Sequence, residues 1–362
     1  MNKFKMNLQL FADAPKSIYD IVNAKELGVY YNTLATQKEA LPPYLGATLF
    51  PNDKQLGLDL SWIKGSRGLP VVLKPSAFDS RSVFRDRIGF NTIATEMPFF
   101  KEAMLIKEKD RQELNKVIAS GNQKYIDIIV KKIFDDKLSL LDGAKAQIER
   151  MRMQLLSSGT IAIAANGVAY NYDYSMPKDH KGKASAPWTK QDEANPILDI
   201  ISWMDKVEED TGSRPNRAIC TRKTWASLLG NKSIKLDIDA TSGDKIIMTD
   251  SMLEQYLMAK IGLKVAINSK KYVDEAGNKK NYFPENLFTL IPDGSLGNTW
   301  FGTTPEESDL MSGGSNAIVS IVETGIALTT TKQTDPVNVE TKASMIALPS
   351  FERIDEIFIA SV

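Results

Sequence analysis

The sequence predicts an α+β fold with one long helix, strand-rich stretches and a region of short alternating helices and strands. Apolar residues recur every three or four positions over 123–156, a pattern typical of a long amphipathic helix. Residues 317–331 are rich in Ile, Val and Thr and predict strand, whereas short helix and strand patterns alternate over 195–291. A chain of 362 residues is too long for one simple core, so we expect two packed regions.

The first hundred residues predict little regular structure. A short helix is expected at 17–27, and Pro42 and Pro43 interrupt the chain after it. Residues 58–100 are expected to contain strands and a long loop, with one short strand at 71–73.

Two helices are expected next, at 107–119 and at 123–156. The second would be a rod about 50 Å long, because each helical residue adds about 1.5 Å. A strand is expected at 160–164. The polar face of the long helix is expected to carry Asp127, Lys131, Asp135, Lys145, Glu149 and Arg152.

Beyond the long helix, residues 170–187 have little periodicity and are expected to form a loop at a domain boundary. Asn195 followed by Pro196 is a strong helix start, and Ser251 with Glu254 gives a capping box for another helix. The stretch 299–314 is again expected to be a loop. The other expected elements are strands at 217–221, 264–267, 287–291, 317–331, 342–348 and 356–359, a helix at 224–229 and a hairpin turn at 275–278.

The charge balance argues against a protein whose main task is to grip duplex DNA. Lys and Arg total 45, as do Asp and Glu, so the formal net charge is zero. Duplex-binding proteins usually carry a basic surplus, and a neutral chain favours self-association. One cysteine excludes an intrachain disulfide and fits a reducing cytoplasm. No apolar run is long enough to span a membrane, and the N-terminal one is too short for a secretion signal.

The residues of common catalytic sites are largely missing, so no enzyme, cofactor or metal site is predicted. His180 is the only histidine and is expected to be an exposed surface residue. There is no phosphate-binding glycine motif, and one Cys with one His cannot form a structural zinc site. A carboxylate-based hydrolase stays open as an alternative. The paired carboxylates, each expected on a solvated face, are Asp135 with Asp136, Glu208 to Asp210, and Glu306 with Glu307.

The segment 58–100 has a local positive surplus within the neutral chain. On charge alone, a solvated surface loop is the favoured interpretation, and the alternative is an arm that docks on an acidic face of a neighbouring copy. The candidate inter-subunit contact residues are Lys64, Arg67, Lys74, Arg81, Arg85 and Arg87.

Residues 272–286, YVDEAGNKKNYFPEN, resemble the Y-V-x-N-G-x-K-x-N-F-L-P-D-N segment of the major capsid protein E family, which the shell protein of phage lambda typifies. An apolar strand and Gly297-Asn298 follow, as in that family. Shorter similarities lie at 6–12 and 347–358. The resemblance implies the Hong Kong 97-type capsid fold. Its parts would be an N-terminal arm at 1–57, an extended β loop at 58–100, a peripheral domain at 101–189 with the spine helix at 123–156, an axial α/β domain at 190–315 and closing peripheral strands at 316–362.

The resemblance implies a head protein that self-assembles into pentamers and hexamers and forms an icosahedral shell around phage DNA. It also favours the docking role for the basic loop. The implied partners are other copies, a separate scaffolding protein, a portal and non-specifically contacted DNA, whereas a decoration protein stays an open alternative. Assembly in the host cytoplasm and a place in the virion follow, and we expect no Lys–Asn crosslink. An encapsulin-like nanocompartment shell is the alternative within the same fold.

Overall fold

The computed structural model describes residues 23–37, 44–64, 91–119, 123–165, 167–241, 246–313, 317–333, 335 and 337–362. The helices of these ranges are α1 (Ala24–Gln37), α2 (Leu45–Leu49), α3 (Glu108–Ala119), α4 (Gln123–Ser158), α5 (Pro196–Thr211), α6 (Arg222–Gly230), α7 (Lys232–Ile238), α8 (Asp250–Ile261) and α9 (Pro305–Ser312). Short 3-10 turns lie at Lys178–His180 and Ile354–Glu356.

The strands of the same ranges form two large sheets and three two-stranded ladders. They are β1 (Asn52–Lys54), β2 (Asp59–Lys64), β3 (Asn91–Glu96), β4 (Phe99–Ile106), β5 (Thr160–Ala165), β6 (Val168–Asp173), β7 (Lys181–Lys183), β8 (Arg217–Cys220), β9 (Lys264–Ile267), β10 (Lys271–Val273), β11 (Lys279–Asn281), β12 (Leu287–Ile291), β13 (Thr299–Phe301), β14 (Ile318–Val322), β15 (Ile326–Lys332), β16 (Val339–Pro349) and β17 (Phe358–Ser361).

The first sheet has the order β1-β13-β16-β15-β14, and β4 also pairs with β16. The strand β16 is antiparallel to each of its three neighbours, and β1 runs parallel to β13. Helix α4 covers one face of this sheet, where the Lys137 ammonium donates to the Thr341 hydroxyl. Helix α1 lies on β14, and Gly28 makes this possible because a Cβ there would lie 2.6 Å from Ser320 Oγ.

The second sheet has the order β7-β17-β12-β8-β9 and separates two cores. Successive residues of each strand point to opposite faces of the sheet. Ile219, Ile291 and Ile359 belong to the core around α4, whereas Phe288 and Leu290 belong to the core under α5, α6 and α8. The Thr289 hydroxyl donates to the Leu156 carbonyl at 2.8 Å and ties the end of α4 to the sheet.

Several expected elements are confirmed with their boundaries shifted by only a few residues. The long helix covers Gln123–Ser158, and the strand after it covers Thr160–Ala165. Helix α5 begins as expected, because the Asn195 side chain accepts from the Leu198 amide. The expected hairpin forms between β10 and β11.

The capping box at Ser251 is wrong by two residues. Thr249 is the N-cap of α8, and its hydroxyl accepts from the Met252 amide at 3.3 Å. Ser and Thr are both good N-caps, so a window with two candidates does not decide between them. Starting at Thr249 also places Asp250 in the first turn, where a negative charge is favourable.

Two stretches expected to be loops contain regular structure. Residues 170–187 contribute β6 and β7, and residues 299–314 contribute β13 and α9. Most of the helix expected at 17–27 lies outside the described residues, and its last four positions belong to α1, which continues to Gln37. The expected strand at 317–331 is a hairpin that turns at Glu323, where φ is 52°. Strands β7 and β13 have three residues each and form because strands far away in the chain pair with them.

The expected domain boundaries do not follow the sheets. Strand β4 crosses the expected boundary at 100–101 and pairs with β16 of the first sheet. Strand β13, expected in the axial domain, also lies in the first sheet, whereas β7 and β17, expected in the peripheral domain, pair in the second. The chain therefore passes between the two regions several times.

The polar face expected for α4 is also partly wrong. Glu149 and Arg152 are buried, because α2, β1 and β13 fold back over the second half of the helix. No helix in the described ranges is long and apolar enough to cross a membrane.

Candidate assembly surfaces

The predicted contact residues lie mostly beyond what the structure describes. Lys64 is the last residue of β2. The other five, Arg67, Lys74, Arg81, Arg85 and Arg87, lie outside the described residues, as does the strand expected at 71–73. Their docking role therefore stays a prediction, but the structure does describe the base from which the segment departs.

That base is the two-stranded ladder of β2 and β3, which runs from Asp59 paired with Glu96 to Lys64 paired with Asn91. Trp62 is buried and stacks on Tyr174 with ring centroids 5.1 Å apart. The Tyr172 hydroxyl donates to the Glu96 carbonyl at 3.0 Å. Aromatic contacts of this kind hold the ladder at a defined angle on the body of the protein.

Tyr174 links the ladder to the first sheet. Its hydroxyl donates to the Pro349 carbonyl at 2.5 Å, and the side chain is almost wholly buried. Burial holds the pKa of Tyr174 well above its usual value, so the hydroxyl stays a hydrogen-bond donor at any physiological pH. The base of the basic segment is therefore fixed to β16.

A second anchored element is helix α1. The Tyr30 hydroxyl donates to Asp135 Oδ1 at 2.8 Å, and its ring packs on Phe134 with centroids 5.2 Å apart. Burial and the Asp135 carboxylate raise the pKa of Tyr30 to about 12. Lys145 pairs with Glu323 at 2.7 Å, and the Tyr31 hydroxyl of α1 donates to the same carboxylate, so α1, α4 and the β14–β15 turn meet at one polar junction.

The interior of the first region contains a buried ionic cluster. Arg152 Nε donates to Thr299 Oγ1 at 2.9 Å, and one terminal nitrogen of Arg152 donates to Asn52 Oδ1 at 2.6 Å. Glu149 accepts from the Gly46 amide at 3.1 Å. Burial raises the pKa of Glu149 and lowers that of Arg152 to about 10. These contacts lock α2, β1 and β13 onto α4.

None of the three carboxylate groups singled out in the sequence forms a convergent acid–base pair. Glu306 bonds to Lys342 at 2.5 Å and Glu307 to Lys54 at 2.6 Å, so these two are ion-paired rather than merely solvated. Burial raises the pKa of Glu306, but the bonds from Lys342 and Ser344 outweigh it and leave that pKa below its ordinary value.

His180 is buried, contrary to the expected exposed position. Its Nε2 lies 3.0 Å from Asp210 Oδ2, and its ring lies beside Phe358 with centroids 6.4 Å apart. The second region covers the loop that contains it, which composition alone does not reveal. In the described part of the chain, no three His, Cys, Asp or Glu side chains gather as metal ligands would.

A groove of about 700 Å³ lies beside the middle of α4. Its walls come from β4, α4 and the β5–β6 and β10–β11 hairpins, and they include Phe100, Tyr170 and Tyr272. No pattern in the sequence identifies this surface, because its four walls lie far apart along the chain.

Comparison with known families decides what this architecture is. Residues 30–362 match the family model of phage major capsid protein E. The chain belongs to the phage major capsid protein E family. It is therefore a shell-forming structural protein of the virion that assembles with copies of itself.

Solved structures show the same fold. A proposed prophage capsid protein from E. coli CFT073 is 16% identical with a TM-score of 0.59, and the alignment covers 94% of this chain and 99% of that one. A phage-related protein from Bordetella bronchiseptica RB50 is 12% identical with a TM-score of 0.54, and coverage is 94% and 97%. The expected Hong Kong 97-type capsid fold is confirmed. A search of curated proteins finds no match.

Proposed function

We propose that this capsid protein forms pentamers and hexamers that close into an icosahedral shell around phage DNA. Rings require heterologous contacts, in which one patch of a subunit meets a different patch on the next copy. The observation that carries the proposal is the β2–β3 ladder. It is anchored through Trp62 and Tyr174, pairs with no other strand of the described chain, and ends at Lys64, where the basic segment begins.

In this proposal each region has its own position in the shell. Helix α4 and the first sheet form the peripheral domain, with α4 as its spine. The second sheet with α5, α6 and α8 forms the axial domain, which crowds the centre of the pentamer or hexamer. The ladder of β2 and β3 is the root of the extended loop.

The six basic residues, including Arg85, would dock on an acidic face of the neighbouring copy. Guanidinium groups suit this role because they bind carboxylates through two parallel hydrogen bonds. The chain would act without catalysis and without Lys–Asn crosslinking. It would assemble in the host cytoplasm with a separate scaffolding protein and a portal, and would contact DNA only non-specifically.

Replacement of Arg85 tests the docking role. We expect Arg85→Glu to lower the yield of closed shells at least tenfold while the free subunit keeps its circular dichroism spectrum, because like charges at a contact repel. Arg85→Lys is the matched control and should retain most assembly, since it keeps the charge. Sedimentation and negative-stain microscopy measure the yield. Normal shells from Arg85→Glu would exclude the docking role.

The contents of purified particles separate the proposal from an encapsulin-like shell. Particles from infected cells should contain DNA that survives nuclease treatment. Particles that enclose a protein cargo and no DNA would favour the nanocompartment instead.

A further inference from the structure

Strand β4 leaves one of its edges open. It is eight residues long and pairs with β16 on one side, and no other described strand pairs with its second edge. Residues 101–105 are exposed, and Met104 and Leu105 are among the exposed large apolar side chains. An open strand of this length is a template for another strand, which is why proteins usually cover such edges.

The groove beside α4 is lined by the start of this same strand. Phe99 and Phe100 form part of its wall, and Ile163, Tyr170 and Tyr272 add apolar surface from the hairpins. Of the charged groups on the wall, Arg150 pairs with Glu275 at 2.5 Å and Asp274 with Lys280 at 2.8 Å, whereas Lys101 and Glu102 are exposed on β4 itself. The lining therefore offers apolar side chains to an incoming strand between a few charged ones.

Gly143 is an independent sign that another chain approaches this wall. It is the only glycine of α4, it is exposed, and it lines the groove. A Cβ at this position would meet nothing within 4 Å, so the packing of the subunit does not require glycine here. Glycine is the least favourable residue inside a helix after proline. Glycine at this exposed position leaves room on the groove wall for the backbone of another chain.

The chain itself contains a segment with the matching pattern. Phe4, Met6, Leu8 and Leu10 alternate with the polar residues Lys5, Asn7 and Gln9. Strict alternation is typical of a strand that buries one face and exposes the other. The segment precedes Asn23, where the described chain begins. The residues between Phe11 and Asn23 can span roughly 40 Å when extended, which is enough to leave the subunit.

We propose that residues 4–11 of a second copy add as a strand to the open edge of β4 and place their apolar side chains in the groove. Backbone bonds to β4 would supply affinity, and alternate side chains would set the register. The start of α1 lies over β14, three strands away from β4, which favours a neighbour's segment over the subunit's own. This inference rests on the shell assembly proposed above.

Disulfide trapping tests the inference in assembled shells. Cys220 is buried, and burial raises the pKa of its thiol to about 12, so it does not compete. Subunits with Gly143→Cys are co-assembled with subunits that carry Leu8→Cys. We expect a disulfide between residues 8 and 143 in chains of different variants, identified by mass spectrometry of the non-reduced dimer band.

The alternation of side chains along a strand provides the control. Gln9→Cys should link to position 143 at least fivefold less, because its side chain points away from the groove. A double variant that carries both Leu8→Cys and Gly143→Cys tests for a bond within one chain, and an 8–143 bond that forms only there would overturn the inference. Equal linking of Gln9→Cys and Leu8→Cys to position 143 would also overturn it. Shells that form without any 8–143 bond would also overturn it but leave the proposed function intact, whereas absence of wild-type shells would count against that function.

A larger side chain at position 143 tests the inference in a second way, because it would occupy part of the groove. Gly143→Leu should leave the melting temperature of the free subunit unchanged or higher, because the position is open and leucine favours helix. The same variant should lower the yield of shells at least tenfold. A wild-type yield of shells from Gly143→Leu would contradict the inference.

Discussion

The two packed regions of this subunit are built in different ways. The core of the second region comes almost entirely from 188–290, with Phe358 and Ala360 added from the last strand. The core around α4 draws on residues from Ala24 to Ile359. The first region also buries three charged residues of α4, namely Lys137, Glu149 and Arg152.

This difference shows which interactions determine the structure of each region. In the second region, local caps such as Asn195 and Thr249 start the helices, and apolar packing follows. In the first region, distant segments meet on α4, and buried polar bonds hold them in one arrangement. We therefore expect substitutions of the buried charges to affect stability more than substitutions of the caps.

The largest effect is expected for Arg152→Met. Removing this guanidinium takes away the cation 3.9 Å from the buried Glu149 carboxylate and the donor to Thr299 and Asn52, and breaking a buried pair in this way costs about 3–5 kcal/mol. Urea unfolding measures the loss. The exposed Arg214, which pairs with Asp205 at 2.6 Å, is the control, and Arg214→Met should cost less than about 1 kcal/mol. Equal losses for the two variants would refute the contrast.

An effect of opposite sign is expected for Lys137→Met. Burial lowers the pKa of Lys137 from 10.5 to about 8, so the charged form is disfavoured in the folded state by roughly 3 kcal/mol. Removing the amine should therefore stabilise the subunit at pH 7 by about 1–3 kcal/mol, since its bond to Thr341 is lost as well.

The pH dependence of the stability gained by Lys137→Met follows from the direction in which burial shifts the pKa of Lys137. The unfolded chain binds more protons than the folded one between pH 8 and 10.5, so the wild type gains stability as pH rises through this range. The advantage of Lys137→Met should shrink over the same range. An advantage that stays constant from pH 7 to 10 would show that Lys137 is not the group that titrates.

A smaller loss is expected in the second region for Asp199→Ala. Its carboxylate accepts from Trp188 Nε1 at 3.0 Å and from the Ser185 amide at 3.2 Å. Loss of these buried bonds should cost about 1–3 kcal/mol. Urea unfolding followed by circular dichroism measures the loss, and an unchanged unfolding midpoint for Asp199→Ala would contradict it.

The smallest effect separates two cap assignments. Thr249→Ala should cost about 1 kcal/mol, because the Met252 amide loses its acceptor, and Ser251→Ala should be close to neutral. Thermal unfolding of both variants measures the difference. A larger loss for Ser251→Ala would restore the capping box as the helix start.

The sequence-based expectations are accurate for elements that depend on nearby residues and inaccurate for features that depend on distant ones. Helix α4 and the start of α5 depend on periodicity and on a cap within a few residues, so the sequence predicts them closely. Strand β13 has three residues and exists because β1 and β16 flank it. The buried positions of Glu149, Arg152 and His180 depend on segments far away in the chain. The basic contact residues stay a prediction.

By itself the sequence determined the α+β class, the long helix, the β10–β11 hairpin and the resemblance that the family match bears out. Each of these depends on residues close together in the chain, where periodicity and capping act. The tertiary structure alone decided that β7 and β17 join the second sheet, that charged residues enter the first core, and that Gly143 lines a groove beside an open strand. These features depend on which distant segments meet, and no local pattern encodes that.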